Sequence, residues 1–319
     1  MGRLGHMISG RRPGIGRRPH AHETIGINWS CLSARGLQAC FPLNAPAGTP
    51  QVEMVTGLRS SIFNAAPLHA ADPRFGLIAM GGGNTSGSGT DRVYRFAHQD
   101  RLHPGGAAMV GKPWAASFWF KTNSTSHTPN EYYMQWTFNG GTFPGIALSF
   151  DTSNQLAFNT NGTTLGDAGY KTTMNPFDTK WHHVLFVQVP SGNPNTFDSS
   201  SAYFVDGALD STNINGTNQP AVHATTPGDL FFLGDDQADA AANGALTDFR
   251  IYKLPAHFTE ANVGTDALSF ARHLYNEATR WELYLTRPAF DGLALLGDYW
   301  TEWPAPGAYG DMAVQQRMG

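Results

Sequence analysis

The side chains most able to do chemistry fall into a few clusters. Asp235, Asp236, Asp239 and Asn243 crowd one short stretch, where their oxygens could gather around a hard cation such as Ca²⁺. The alternative is an acidic loop facing water. Tyr132, Tyr133 and Trp136 could offer flat rings to a sugar. Strand alternation sends Tyr132 and Tyr133 to opposite faces, so core packing accounts for much of this set. His182 and His183 follow Trp181, but adjacent strand residues point apart and cannot converge on one ion, which favours a structural role. The glycines at 81–83 and Gly87-Ser88-Gly89 lack the Lys and the following helix that a phosphate cradle needs, and read as a loop. Glycoside hydrolysis with retention needs two carboxylates about 5 Å apart. Glutamate stands only at 23, 53, 131, 260, 277, 282 and 302, an unpromising scatter for such a pair.

Something must position these groups, and the composition says what kind of scaffold does so. Of 319 residues, 36 are Gly and 20 are Pro, while only 14% are charged. Turn formers are abundant and surface ion-pair formers scarce, which predicts many short strands. From about Val93 to Tyr252, runs of β-branched and aromatic residues alternate with Gly, Asn, Pro and Asp clusters, the pattern of a sandwich. In the run from Trp114 to Lys121, Trp114, Ala116, Phe118 and Phe120 share one face, and Trp119 takes the other. Further strands are expected over Glu131–Phe138, Gly145–Phe150, Gln155–Phe158, Asp229–Leu233 and Leu246–Tyr252. The stretch from Trp181 to Val189 is apolar on both faces and belongs in the middle of a covered sheet. Asp206-Gly207 after Tyr203-Phe204-Val205 predicts a two-residue hairpin turn. Spacings this short favour antiparallel connections over βαβ units.

Both ends depart from this pattern. Met1 to about His22 mixes Gly, Pro and Arg, with Arg3, Arg11, Arg12, Arg17 and Arg18 but without the apolar run of a secretory signal, so export by that route is not expected. Over Ala267–Leu285, Leu268, Ala271, Leu274, Tyr275, Ala278, Trp281 and Leu285 recur at threes and fours, which predicts one amphipathic helix across 267–287. After Pro288 the chain returns to Gly, Pro and aromatics, including Trp300, Trp303 and Tyr309. The expected organisation is a basic extended arm over 1–27, a sandwich over 28–266, the helix, and a second arm over 288–319. A net charge of −4 is too small to drive binding to nucleic acid or an anionic membrane by itself, and no apolar stretch reaches the roughly 18 residues of a membrane span. Cys31 and Cys40 could close a loop of about nine residues or stay as thiols in a reducing compartment.

The segment from Asn28 to Asn44 (NWSCLSARGLQACFPLN) resembles the opening of laminin-G-like, concanavalin A-like domains of bacteriophage-encoded proteins. Ala116–Lys121 (ASFWFK), Trp181-His182-His183-Val184, the Tyr203–Gly207 hairpin and Leu246–Tyr252 (LTDFRIY) resemble later strands of the same family, in the same order. The likeness extends over about residues 28–285. It implies an all-β, antiparallel jelly-roll sandwich, a fold that serves lectins, spacers, capsid decorations and hydrolase modules alike. It implies first a non-enzymatic virion structural protein of the capsid decoration, cement or fibre-base type. Such a protein would be assembled in the host cytoplasm and clasped to the major capsid protein or other virion proteins through Arg3, Arg11, Arg12, Arg17, Arg18, Trp300, Trp303 and Tyr309. Trimers fit this reading. A lectin-like module for a host glycan is the alternative, with Tyr132, Tyr133 and Trp136 as candidate contacts. The hydrolase alternative is weakened because no glutamate here has the family's E-x-D-x-x-E arrangement. No cofactor is implied beyond a Ca²⁺ at Asp235, Asp236, Asp239 and Asn243, since laminin-G-like domains sometimes hold calcium at a sandwich rim.

Overall fold

The computed structural model describes residues 14–15, 24–46, 48–64, 67–81, 92–97, 109, 111–125, 131–138, 143–150, 154–160, 170–190, 199–216, 227–234, 242–259 and 261–287. The strands are β1 (Gly14–Ile15), β2 (Thr24–Ile27), β3 (Leu37–Phe41), β4 (Ser61–Asn64), β5 (Leu68–Asp72), β6 (Gly76–Met80), β7 (Arg92–Phe96), β8 (Trp114–Thr122) and β9 (Tyr132–Phe138). They continue as β10 (Phe143–Phe150), β11 (Leu156–Thr160), β12 (Tyr170–Lys171), β13 (His182–Pro190), β14 (Ser199–Val205), β15 (Ala208–Gly216), β16 (Pro227–Phe232), β17 (Gly244–Lys253) and β18 (Tyr284–Arg287). Two short helices, α1 (Val263–Asp266) and α2 (Leu268–Tyr275), stand between β17 and β18.

Among the described residues every strand pair is antiparallel, and the strands form two large sheets and one small one. One sheet runs β12-β11-β10-β9-β16-β7-β4; the other runs β15-β14-β13-β8-β17-β6-β5, with β3 also paired to β17. The third sheet is β1-β18-β2. The expected antiparallel sandwich is therefore the observed architecture. Its core lies between the two large sheets, where Trp114, Phe118 and Phe120 of β8 meet Trp136, Phe158, Phe186 and Phe249. The indole tip of Trp114 on the inner face of β8 is satisfied: Nε1 donates to Gln188 Oε1 at 2.7 Å.

A second apolar cluster covers the outer face of the eight-stranded sheet. Trp119, Ala115, Leu185, Val187, Ala202, Phe204 and Tyr252 pack there against Val263, Ala267, Ala271 and Leu274 of the helical segment, together with Trp281, Leu283 and Tyr284. With apolar residues on both faces, β8, β13 and β17 read as near-continuous hydrophobic runs, as central strands must. The hairpin expected at Asp206-Gly207 is present. Both residues have positive φ, 50° and 77°, which lets the turn follow the strands' twist.

Three expectations need correction. The helix predicted over 267–287 ends at Tyr275. Asn276 turns to extended backbone, and its Oδ1 accepts from the Ala278 backbone N–H at 2.8 Å, so the chain leaves the helix in a side-chain-capped turn. Ala278 and Trp281 lie in turns, and Leu285 lies in β18. The stretch drawn as an arm over 1–27 contributes β1 and β2, strands too short to show an alternation. Trp181 precedes β13 and is half-buried, so it is not the central-strand residue expected. Cys31 and Cys40 are both free thiols, with Cys40 fully buried beside the Tyr284 hydroxyl at 3.3 Å.

Candidate functional site

Trp119 points away from the main core and gathers a set of neighbours around it. Arg74 lies over its ring at 4.4 Å and Arg280 at 5.4 Å, and Tyr275 stacks on it with centroids 5.7 Å apart. Phase along three elements makes this possible. Arg74 sits in the turn between β5 and β6, which Asp72 closes by accepting from the Arg74 and Phe75 backbone N–H groups. Tyr275 is the last residue of α2. Arg280 follows in the capped turn, held over Trp119 and also over the Trp281 ring at 5.3 Å.

A cleft of about 590 Å³ opens beside this cluster, lined by Arg74, Asp206, Gly207, Arg272, Tyr275, Asn276 and Glu277. Gly207 shapes its floor. A Cβ there would stand 3.0 Å from Tyr275 Cδ1, so glycine serves both the turn and the close approach of the helix. One carboxylate, Glu277, serves two guanidinium groups: its Oε1 accepts from Arg280 Nη2 at 2.9 Å and lies 3.7 Å from Arg74 Nη2. Arg280 is nearly buried, and its Nε and Nη1 have no hydrogen-bond partner among the described residues. Burial, followed by the charge of Arg74, pulls its pKa below the usual arginine value.

Asp206 connects the cleft to two histidines. Its Oδ2 lies 2.9 Å from His182 Nδ1, while Asp178 Oδ1 lies 3.0 Å from His182 Nε2. An imidazolium, with two N–H donors, satisfies both carboxylates. Burial by itself would lower the His182 pKa, but the bonds to Asp206 and Asp178 outweigh it and hold the pKa above its ordinary value. His183 behaves oppositely. Complete burial, then the charge of Arg250, pushes its pKa down to about 3, and its Nε2 meets Ser117 Oγ at 2.9 Å. This Ser–His contact is sealed on every side, so it offers no exposed nucleophile or base.

The residues singled out from the sequence are distributed elsewhere. Tyr133 and Trp136 are buried in the main core and do not form a platform with Tyr132, which is half-buried. A register shift between the Met134–Leu148 and Tyr132–Ser149 pairs is the cause: it turns Tyr133 inward along with Met134. Asn243 is half-buried, its backbone carbonyl accepting from the Asn123 N–H at 2.9 Å and from the Tyr133 hydroxyl at 3.3 Å. Asp235, Asp236 and Asp239 lie outside the described residues, as do Arg3, Arg11, Arg12, Arg17, Arg18, Trp300, Trp303 and Tyr309. Among the described residues no three His, Cys, Asp or Glu side chains gather as a metal site would require. The cleft residues Arg74, Arg272, Tyr275 and Glu277 were not anticipated. Their only sequence signal was indirect, a Trp119 assigned to the face away from the core and therefore in need of a cover.

A two-sheet antiparallel sandwich with a covered outer face defines the class of domain. The family model described as the concanavalin A-like lectin/glucanases superfamily matches residues 98–261, and the chain belongs to that superfamily. Solved structures of similar fold include the binding domain of botulinum neurotoxin DC in complex with SialylT, at 13% identity over 73% of this chain and 52% of that one, TM-score 0.46. Domain 4 of AbnA, a GH43 extracellular arabinanase from Geobacillus stearothermophilus, in complex with arabinotriose, matches at 15% identity over 72% and 96%, TM-score 0.45. Trypanosoma rangeli sialidase matches at 14% identity over 75% and 32%, TM-score 0.46. This chain spans about half the length of the botulinum neurotoxin chains it matches. A search of the curated proteins finds no match.

Proposed function

We propose that this chain is a non-enzymatic virion structural protein, a sandwich of capsid decoration, cement or fibre-base type held on neighbouring subunits through its two terminal segments. The observation that carries this reading is the small sheet β1-β18-β2. Gly14 pairs with Thr286 in antiparallel register, and Thr24 pairs with Arg287. Gly14 and Arg287 therefore stand at the same end of one sheet, which is where a clasp through both terminal segments would start. That sheet is tied to the sandwich: Tyr284 is buried, and its hydroxyl donates to Asp248 of β17.

The commitments of the acidic groups support a role without catalysis. Asp248 is held by Arg250, Asp229 by Arg95, Glu282 by His273, and Asp178 and Asp206 by His182. The test is sedimentation of particles with intact chain, with a chain lacking Met1–His22, with a chain cut after Pro288, or with both deletions, at low and high salt. Exposed charge pairs contribute about 0–1 kcal/mol each and are screened. High salt should therefore loosen the basic segment alone, and full release should require both deletions. A doubly truncated protein that stays bound as tightly as the intact one at high salt would show that the sandwich makes the contact. A lectin-like module is the second reading, favoured by the cleft beside Trp119.

A further inference from the structure

We propose that the cleft between the β14–β15 turn and the end of α2 binds a carboxylate-bearing sugar residue, such as a uronic or sialic acid unit of a larger glycan. The charge balance comes first. Arg74 and Arg272 line the cleft and Arg280 stands behind it, making three guanidinium groups against two carboxylates. Asp206 is already engaged with His182 and with the His183 backbone N–H at 2.9 Å. Glu277 is largely exposed and shared unequally, hydrogen-bonded to Arg280 at 2.9 Å and 3.7 Å from Arg74. Arg272 is exposed and has no ion pair among the described residues. Arg272 thus faces the cleft without a carboxylate among the described residues, and Arg74 holds only the far share of Glu277. A guanidinium fork matches a carboxylate in the bidentate geometry that a point charge cannot offer.

The remaining lining suits the body of a sugar. Tyr275 rests one ring face on Trp119 and lends its half-buried remainder to the wall, giving a flat apolar surface at the cleft. Asp206 and Asn276 supply polar groups for hydroxyls on either side. The volume of about 590 Å³ lies within the range of small-ligand sites. When the ligand carboxylate takes Arg74 and Arg272, Glu277 remains on Arg280, so entry leaves no buried guanidinium stripped of its partner. The arrangement also explains why Arg74 is parked over Trp119: the ring holds the guanidinium in place before any ligand arrives.

This inference does not rest on attachment through the terminal segments, and the two can fail separately. The experiment is calorimetric titration of the full chain with glucuronate-, galacturonate- and sialate-terminated oligosaccharides, their methyl esters, and inorganic sulfate. At least one acidic oligosaccharide should bind, losing about tenfold or more in affinity on esterification and a similar factor in Arg272→Ala, an exposed change that leaves the fold intact. Failure of all three acids to bind overturns the proposal. So does equal affinity for acid and ester, or unchanged binding by Arg272→Ala with an unchanged melting temperature. Sulfate competing at the same concentration as the saccharide marks the site as a general anion patch and also overturns it. Particle sedimentation with Arg272→Ala should be unaffected, which keeps a failure here distinct from a failure of the attachment reading.

Discussion

Asp248→Asn tests how the terminal sheet is fastened to the sandwich. Asp248 accepts from Arg250 Nε at 2.8 Å and from Nη2 at 2.7 Å, and both residues are buried, with Arg250 only 1% exposed. Replacing the carboxylate by an amide leaves the guanidinium in a dry setting with neutral acceptors alone, the Asn Oδ1 and the Arg280 carbonyl 3.0 Å from Nη2. One charge-assisted hydrogen bond lost outright and the other weakened, from a pair worth about 1.5–3 kcal/mol each, approach the ~3–5 kcal/mol cost of breaking one side of a buried pair. Asn is the right probe because Asp248 has φ 54°, a left-handed conformation that Asn tolerates and most residues do not. The backbone therefore does not confound the result. Urea unfolding at pH 7 should show a loss of about 3–5 kcal/mol, with Arg250→Met alone also destabilising and the double variant recovering much of the deficit. Hydrogen exchange at the β18 amides should quicken, because Tyr284 donates to the same carboxylate. A single-variant cost below about 1 kcal/mol with an unchanged denaturant slope would refute the buried-pair reasoning.

Other perturbations separate the two packing layers and the two histidines. Trp119→Ala should cost about 3–5 kcal/mol, and Trp181→Ala clearly less, because Trp181 is half-buried and bound through Nε1 to Asp72 at 2.8 Å; denaturant midpoints would rank them. His183 titrates near 3 in the fold against 6.5 unfolded, so the unfolded chain binds the proton first, and stability present above pH 6.5 is lost as pH falls toward 3. His183→Asn should flatten that acid limb, which urea midpoints at about pH 4.5 and 7 would reveal. His182 has the opposite sign. Its raised pKa contributes stability below pH 6.5 that is lost as pH rises through the folded value, so His182→Asn should remove an alkaline loss seen in the same scan. Gly207→Ala should destabilise by roughly 1–2 kcal/mol through its positive φ and the 3.0 Å contact with Tyr275, read as a lowered melting temperature.

The strand pattern was legible because it is a one-dimensional property. Alternation over Trp114–Lys121 assigned Trp119 to the second face, and Asp206-Gly207 specified its turn, since both depend on local geometry and nearest neighbours alone. Where periodicity ran on past a break, the sequence misled: beyond Tyr275 the threes and fours fall on an exposed Ala278, on Trp281, which joins the apolar cluster from a turn, and on Leu285 of β18. The bulge that turns Tyr133 inward was equally invisible, because it arises from the register between two strands and not from either strand alone. The cleft lies furthest from anything the chain spells out. Arg74, Asp206 and Arg272 are separated by 132 and 66 positions, and only the docking of α2 over β8 and the β14–β15 turn brings them around one space. Composition and spacing determined that the chain forms an antiparallel sandwich with a second apolar face to cover. What covers that face, and which charges are left looking into the gap, was decided by long-range packing, where side chains distant in sequence compete for the same surface.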